Sequence, residues 1–113
     1  MSQSAVVKTI SYLQDHASLS GVDVANISRV SKSTVSRWSN GMAAPNPRTQ
    51  LVLSDLKYVV DRLGDFYSAD EIRLWLFSGN DLLDGKKAIE LIHEDRTDQV
   101  LQAIDSLDSG AYL

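Results

Sequence analysis

The chain has 113 residues, 43% hydrophobic and 23% charged, with a net charge of −4. That length holds one domain, or two very small ones sharing a core, and the composition is that of a folded protein rather than a disordered one. Cysteine is absent, which excludes a disulfide framework, a thiolate zinc site and a thiol nucleophile, and fits a reducing cytoplasm.

The pattern is helical throughout. Val6, Val7, Ile10 and Leu13 recur at helical spacing and predict a first amphipathic helix over 4–16. Val22, Val24, Ala25 and Ile27 predict a short second helix after Ser20-Gly21. Ser31 is a candidate N-cap for a third, Lys32 to Ser39, with Val35 and Trp38 on its buried face and Asn40-Gly41 as its stop. Pro45 and Pro47 are expected to hold the chain extended through AAPNPR. Val52, Leu56, Val59, Val60, Leu63 and Phe66 then share one face of a long helix over 51–66, near whose end stands Gly64. Ser68 and Glu71 have capping-box spacing ahead of a face made by Ile72, Trp75 and Leu76. Gly79-Asn80-Asp81 breaks that helix, and Gly85 precedes a short one around Ile89 and Ile92. Thr97 is the expected cap of the last helix, on which Val100, Ile104 and Leu107 share a face and which stops at Gly110. No period-2 run of strand length occurs. The expected fold is all-α, with residues 1–66 a helix-turn-helix bundle continuous with a small C-terminal helical unit, 67–113.

Charge divides the chain. Residues 1–50 carry five basic and two acidic side chains, a balance of +3, and residues 51–113 carry six and thirteen, a balance of −7. Two surfaces with different partners are expected. The stretch from Val22 to Gly41 has helix-turn-helix offsets. Ala25 sits where two helices approach, while Val35 and Trp38 point back into the pair. Lys32, Ser33, Thr34, Ser36 and Arg37 are left facing outward, on a helix about 12 Å long that matches the width of the B-DNA major groove. Lys32 and Arg37, with Arg48 beyond, suit phosphates or guanine edges, and the short hydroxyls permit close approach. An acidic chain neutralises few phosphates, so tight operator binding requires a dimer.

The segment SKSTVSRWSNG resembles the recognition helix of the Xre (phage repressor and Cro-like) family. The turn position that is often glycine in that family is Arg29, which costs on the order of 1 kcal/mol if its φ is positive. Farther on, Trp75, Leu76, Asn80, Leu83, Gly85, Val100, Ile104, Gly110 and Tyr112 follow, in order and spacing, a pattern similar to the toxin-binding domain of the MbcA/ParS/Xre antitoxin family. Gly79 and Ala88 stand where that pattern often has proline. The resemblance covers roughly residues 68–113. It implies the antitoxin of a type II toxin–antitoxin pair, whose partner is a RES-domain toxin that consumes NAD by hydrolysis or phosphorolysis. It also implies occlusion of the toxin's active site by the C-terminal part and binding of the operon's own promoter by the N-terminal part.

A physical version of that occlusion is available in the residues. Gly110, Ala111, Tyr112 and Leu113 form a short tail after a helix stop, with an aromatic anchor and a terminal carboxylate able to stand in for a substrate phosphate. Asn80 either touches the toxin or satisfies the neighbouring helix end. A homodimer and a higher-order toxin–antitoxin complex are the expected assemblies. An alternative is a stand-alone Xre-type transcriptional regulator whose acidic half only dimerises.

Enzyme readings fail on inventory. His16 and His93 have no metal-ligand spacing and no neighbouring nucleophile, and no phosphate-binding glycine loop is present. No catalytic residue, metal or cofactor is expected, and NAD is the partner's substrate. Apolar runs such as Trp75-Leu76-Phe77 are far too short to span a membrane. The first residues, MSQSAVVKTI, lack a basic segment followed by a long apolar one, so a cytoplasmic protein is expected.

Overall fold

The computed structural model describes residues 3–109, so Gly110, Ala111, Tyr112 and Leu113 lie outside the described residues. The elements are α1 (Gln3–Ala17), α2 (Gly21–Ser28), α3 (Lys32–Ser39), α4 (Pro47–Leu63), α5 (Ala69–Phe77), a 3-10 turn (Asp81–Leu83), α6 (Ala88–His93) and α7 (Thr97–Asp108). Among the described residues there is no strand, only an antiparallel bridge between Gly79 and Lys87. The fold is all-α, as the periodicity predicts.

Local chemistry sets most helix starts. At α2 and α5 the N-cap hydroxyls of Ser20 and Ser68 accept from the N–H groups of Asp23 and Glu71, whose carboxylates accept from the cap N–H in return. Ser31 caps α3 by accepting from the Thr34 N–H. Asn46 caps α4 through the Thr49 N–H, and Pro47 is the first helical residue. Here the structure keeps 43–46 out of any helix and corrects the extended reading of AAPNPR only at Pro47 and Arg48. A proline fits the first turn of a helix, where its missing N–H had no intrahelical partner anyway. The same helix ends at Leu63, so Phe66 leaves the buried face expected of it and is exposed. Thr97 is likewise not a cap. It is the first residue of α7, and its hydroxyl donates to Asp55 Oδ2 at 2.9 Å.

One continuous apolar core runs from Val6 of α1 to Ile104 of α7. α4 is central and contributes Val52, Leu53, Leu56, Val59, Val60 and Leu63 to it. α1 packs along α4 and also reaches α5 and α3, α2 pairs with α3, and α6 and α7 pair with each other and against α4. Polar ties cross residue 66 as well. Ser18 donates to Asp70 at 2.6 Å, Arg73 to Asp23, Arg48 to the His93 carbonyl and Arg62 to Asp105. The basic and acidic halves of the sequence are therefore built onto a shared core.

The Asp23–Arg73 tie is the most enclosed of these. Asp23 is buried, and its carboxylate accepts from the Ser20 N–H and from Nε and Nη2 of Arg73, each at 3.0–3.1 Å. Burial works to raise the Asp23 pKa, but the Arg73 guanidinium and the Ser20 donors outweigh it and hold the carboxyl below its usual range. The Arg73 guanidinium also lies 5.2 Å over the Phe77 ring.

Candidate functional site

Two surfaces hold the candidate residues. The first is the outer face of α3. Val35 and Trp38 are buried against the rest of the bundle, and Ala25 is buried beneath the crossing of α2 and α3. Lys32, Ser33, Ser36 and Arg37 are thereby turned outward and exposed. Thr34 is half-buried, and its hydroxyl is 2.9 Å from that of Ser31, within the capping pair.

The turn before α3 takes the more costly of the two shapes open to it. Arg29 adopts φ 58°, ψ 45°, and the Val30 N–H donates to the Ala25 carbonyl at 3.0 Å, closing the end of α2. A residue with a Cβ tolerates this at a cost of roughly 1 kcal/mol. Among the described residues no side-chain hydrogen bond joins Arg48 to the α3 set. Its Nη2 donates to the His93 carbonyl at 2.8 Å, which commits one arm of the guanidinium to the end of α6.

The second surface surrounds the loop 79–87. The Asn80 side chain accepts from the Leu82 N–H, its carbonyl accepts from the N–H groups of Leu83 and Gly85, and its N–H donates to the Lys86 carbonyl. The Asn80 side chain thus serves the following 3-10 turn rather than the preceding helix end. Gly79 is required by a close approach. A Cβ built there meets the Gly85 carbonyl oxygen, a backbone atom, at 2.7 Å. Gly85 and Asp84 take positive φ to complete the loop.

Asn80 also edges a shallow recess of about 340 Å³, shared with Tyr67, Leu74, Trp75 and Ser78. Leu74 is 62% exposed and Trp75 only half-buried. The expectation that Trp75 would serve as a core anchor is met only in part: one side packs on the core and the other lines the recess. Leu74 and Tyr67 are additions to the candidate set. The signal for Leu74 was its phase, two positions from Ile72 and Leu76 and so off the buried stripe.

The chain was compared with known proteins. No protein-family profile matches it. The mycobacterial cidal antitoxin MbcA of Mycobacterium tuberculosis H37Rv is 28% identical over 113 residues, the full length of both chains, and the M. bovis protein of the same name matches equally. A probable mycobacterial cidal antitoxin of M. tuberculosis H37Rv is 34% identical over 92 residues, covering 81% of this chain and 78% of the relative. The chain belongs to the mycobacterial cidal antitoxin family. A chain of the crystal structure of the M. tuberculosis MbcT–MbcA toxin–antitoxin complex superposes with a TM-score of 0.82 at 29% identity, covering 95% of this chain and 96% of that one.

Membership places the α3 face and the loop 79–87 within an antitoxin. Among the described residues no group of histidine and carboxylate side chains could hold a metal ion, and no helix is long and apolar enough to cross a membrane.

Proposed function

We propose that this cytoplasmic protein neutralises a RES-domain toxin by occluding its NAD-consuming active site. The observation that carries the reading is the full-length likeness, in sequence and fold, to a chain solved within a toxin–antitoxin complex. The occluding element is the segment Gly110–Leu113, with Tyr112 as its aromatic anchor. Asn80, Trp75 and Leu74 at the recess form a second contact. NAD is the toxin's substrate, and this chain holds no cofactor. The α3 face, with Lys32, Ser33, Thr34, Ser36 and Arg37, reads the operon's own operator, and Arg48 at the start of α4 adds positive charge. A homodimer places two such helices about one turn of DNA apart. Higher-order toxin–antitoxin assemblies then gain operator affinity through multivalency.

The test is co-expression. Induction of the adjacent gene's product arrests growth, co-expression of this chain restores it, and the two proteins purify together. Growth arrest that persists with soluble antitoxin present refutes the assignment.

A further inference from the structure

The recess of about 340 Å³ beside α5 joins two kinds of wall. The rings of Tyr67 and Trp75 and the 62% exposed Leu74 are apolar, and Glu71 adds a carboxylate. Glu71, Leu74, Trp75 and Ser78 fall at i, i+3, i+4 and i+7, so one stripe of the helix carries them. Among the described residues no arginine, lysine or histidine lines the recess. Arg73, the one basic residue of α5, lies off that stripe and is engaged elsewhere, with Asp23 and over the Phe77 ring.

Glu71 is ionised where it stands. The Ser68 N–H and hydroxyl hold its carboxyl below the usual range. The capping box uses only part of a carboxylate's capacity of about four hydrogen bonds. Asn80 Oδ1, which accepts from the Leu82 N–H, likewise keeps a second lone pair.

These groups select an occupant. An apolar side chain fits the rings but strips water from the Glu71 carboxylate and returns no hydrogen bond. A carboxylate or phosphate meets like charge. An ammonium is compact and holds its water strongly. A guanidinium is planar and weakly hydrated, stacks on aromatic faces and still donates to a carboxylate from its edge. The volume is that of about ten waters at about 30 Å³ each, which suits one long side chain.

We infer that the recess receives an arginine side chain of the partner toxin, its guanidinium against the aromatic rings and donating to Glu71. The partner's identity rests on the proposed function; the preference for arginine rests on the recess.

The experiment has two arms. In the first, the full chain is titrated by NMR with the capped tripeptides Gly-Arg-Gly, Gly-Lys-Gly and Gly-Leu-Gly, at ionic strength matched by sodium chloride. The Trp75 indole and the Glu71 amide shift saturably with the arginine peptide, several-fold more weakly with the lysine peptide and not with the leucine peptide. The buried Trp38 indole stays in place. Glu71→Gln keeps the capping box, in which glutamine also serves, and melts close to the unaltered chain. It weakens binding of the arginine peptide about fivefold. Asp108→Asn, the same change of charge at the exposed end of α7, binds like the unaltered chain. In the second arm, Glu71→Gln raises the Kd for the product of the adjacent gene by a similar factor, and Asp108→Asn does not. The inference is overturned if the arginine peptide gives no saturable shift, if the leucine peptide binds as well, or if Glu71→Gln binds undiminished in either arm. If the unaltered chain forms no complex, the toxin reading fails and takes the named partner with it, while the peptide titration separately upholds or overturns the arginine preference.

Discussion

Replacing Asp23 by alanine removes three hydrogen bonds at once: one from the Ser20 N–H and two from Arg73. The capping-box bond contributes about 0.5–1 kcal/mol. The two charge-assisted bonds are nominally stronger, but the Arg73 side chain is 42% exposed and recovers water when its partner is lost. That discount brings the pair to about 1–2 kcal/mol. The total is therefore roughly 2 kcal/mol, or a fall in melting temperature of about 8 °C for a chain of this size. Asp23→Asn keeps an acceptor for the Ser20 N–H and loses mainly the charge, so it costs about half as much.

The pH dependence follows from the lowered pKa of Asp23 in the folded state. A depressed carboxylate contributes its full stability above the unfolded value, about 3.9, and loses it as pH falls through the folded value. The gap between the unaltered chain and Asp23→Asn is thus full at pH 7, shrinks below about pH 4 and closes in stronger acid. Urea denaturation at a series of pH values measures it. A loss under about 0.5 kcal/mol for Asp23→Ala at pH 7, or a gap for Asp23→Asn that does not change with pH, refutes the reasoning.

Other outcomes follow from the same structure. Gly79→Ala drives a Cβ to within 2.7 Å of the Gly85 carbonyl and should cost about 1–3 kcal/mol in urea melts, whereas Gly21→Ala, with open space around it, is neutral. Arg37→Gln should weaken operator binding across all sequences and lower the salt slope by about one ion if it contacts phosphate, read by fluorescence anisotropy at several salt concentrations. Deleting residues 110–113 should abolish toxin inhibition while leaving the circular dichroism melt unchanged. Undiminished inhibition by the truncated chain would remove the tail from the mechanism. Unfolding of the full chain, followed by tryptophan fluorescence and by circular dichroism, should give one coincident transition, because the core and its polar ties cross residue 66.

Helix positions were legible where local chemistry decides them. Ser31 and the stop at Asn40-Gly41 bracket α3 as the sequence implies, and the Ser68–Glu71 box opens α5. The misreadings have distinct causes. Pro47 served as a helix start where its neighbour Pro45 suggested continued extension, and Asn46 was the overlooked cap. Thr97 has a cap's chemistry but spends its hydroxyl on Asp55, 42 positions away, which no local pattern encodes. Phe66 kept the helical phase past Leu63, after the helix had already turned off.

The candidate site divides in the same way. The outward face of α3 follows from the burial of Val35 and Trp38. The clash reserved at Gly79 and the commitment of Arg48 to His93 depend on residues that meet only in three dimensions. His93, which has no motif around it in sequence, meets α4 through its carbonyl, which accepts from Arg48.

The central claim is inhibition of an NAD-consuming partner. Its most direct test is NAD turnover by the purified product of the adjacent gene, titrated with this chain. The account predicts a stable complex and a linear fall to zero turnover at a stoichiometric ratio. Turnover that continues unchanged in the presence of excess, folded antitoxin contradicts it.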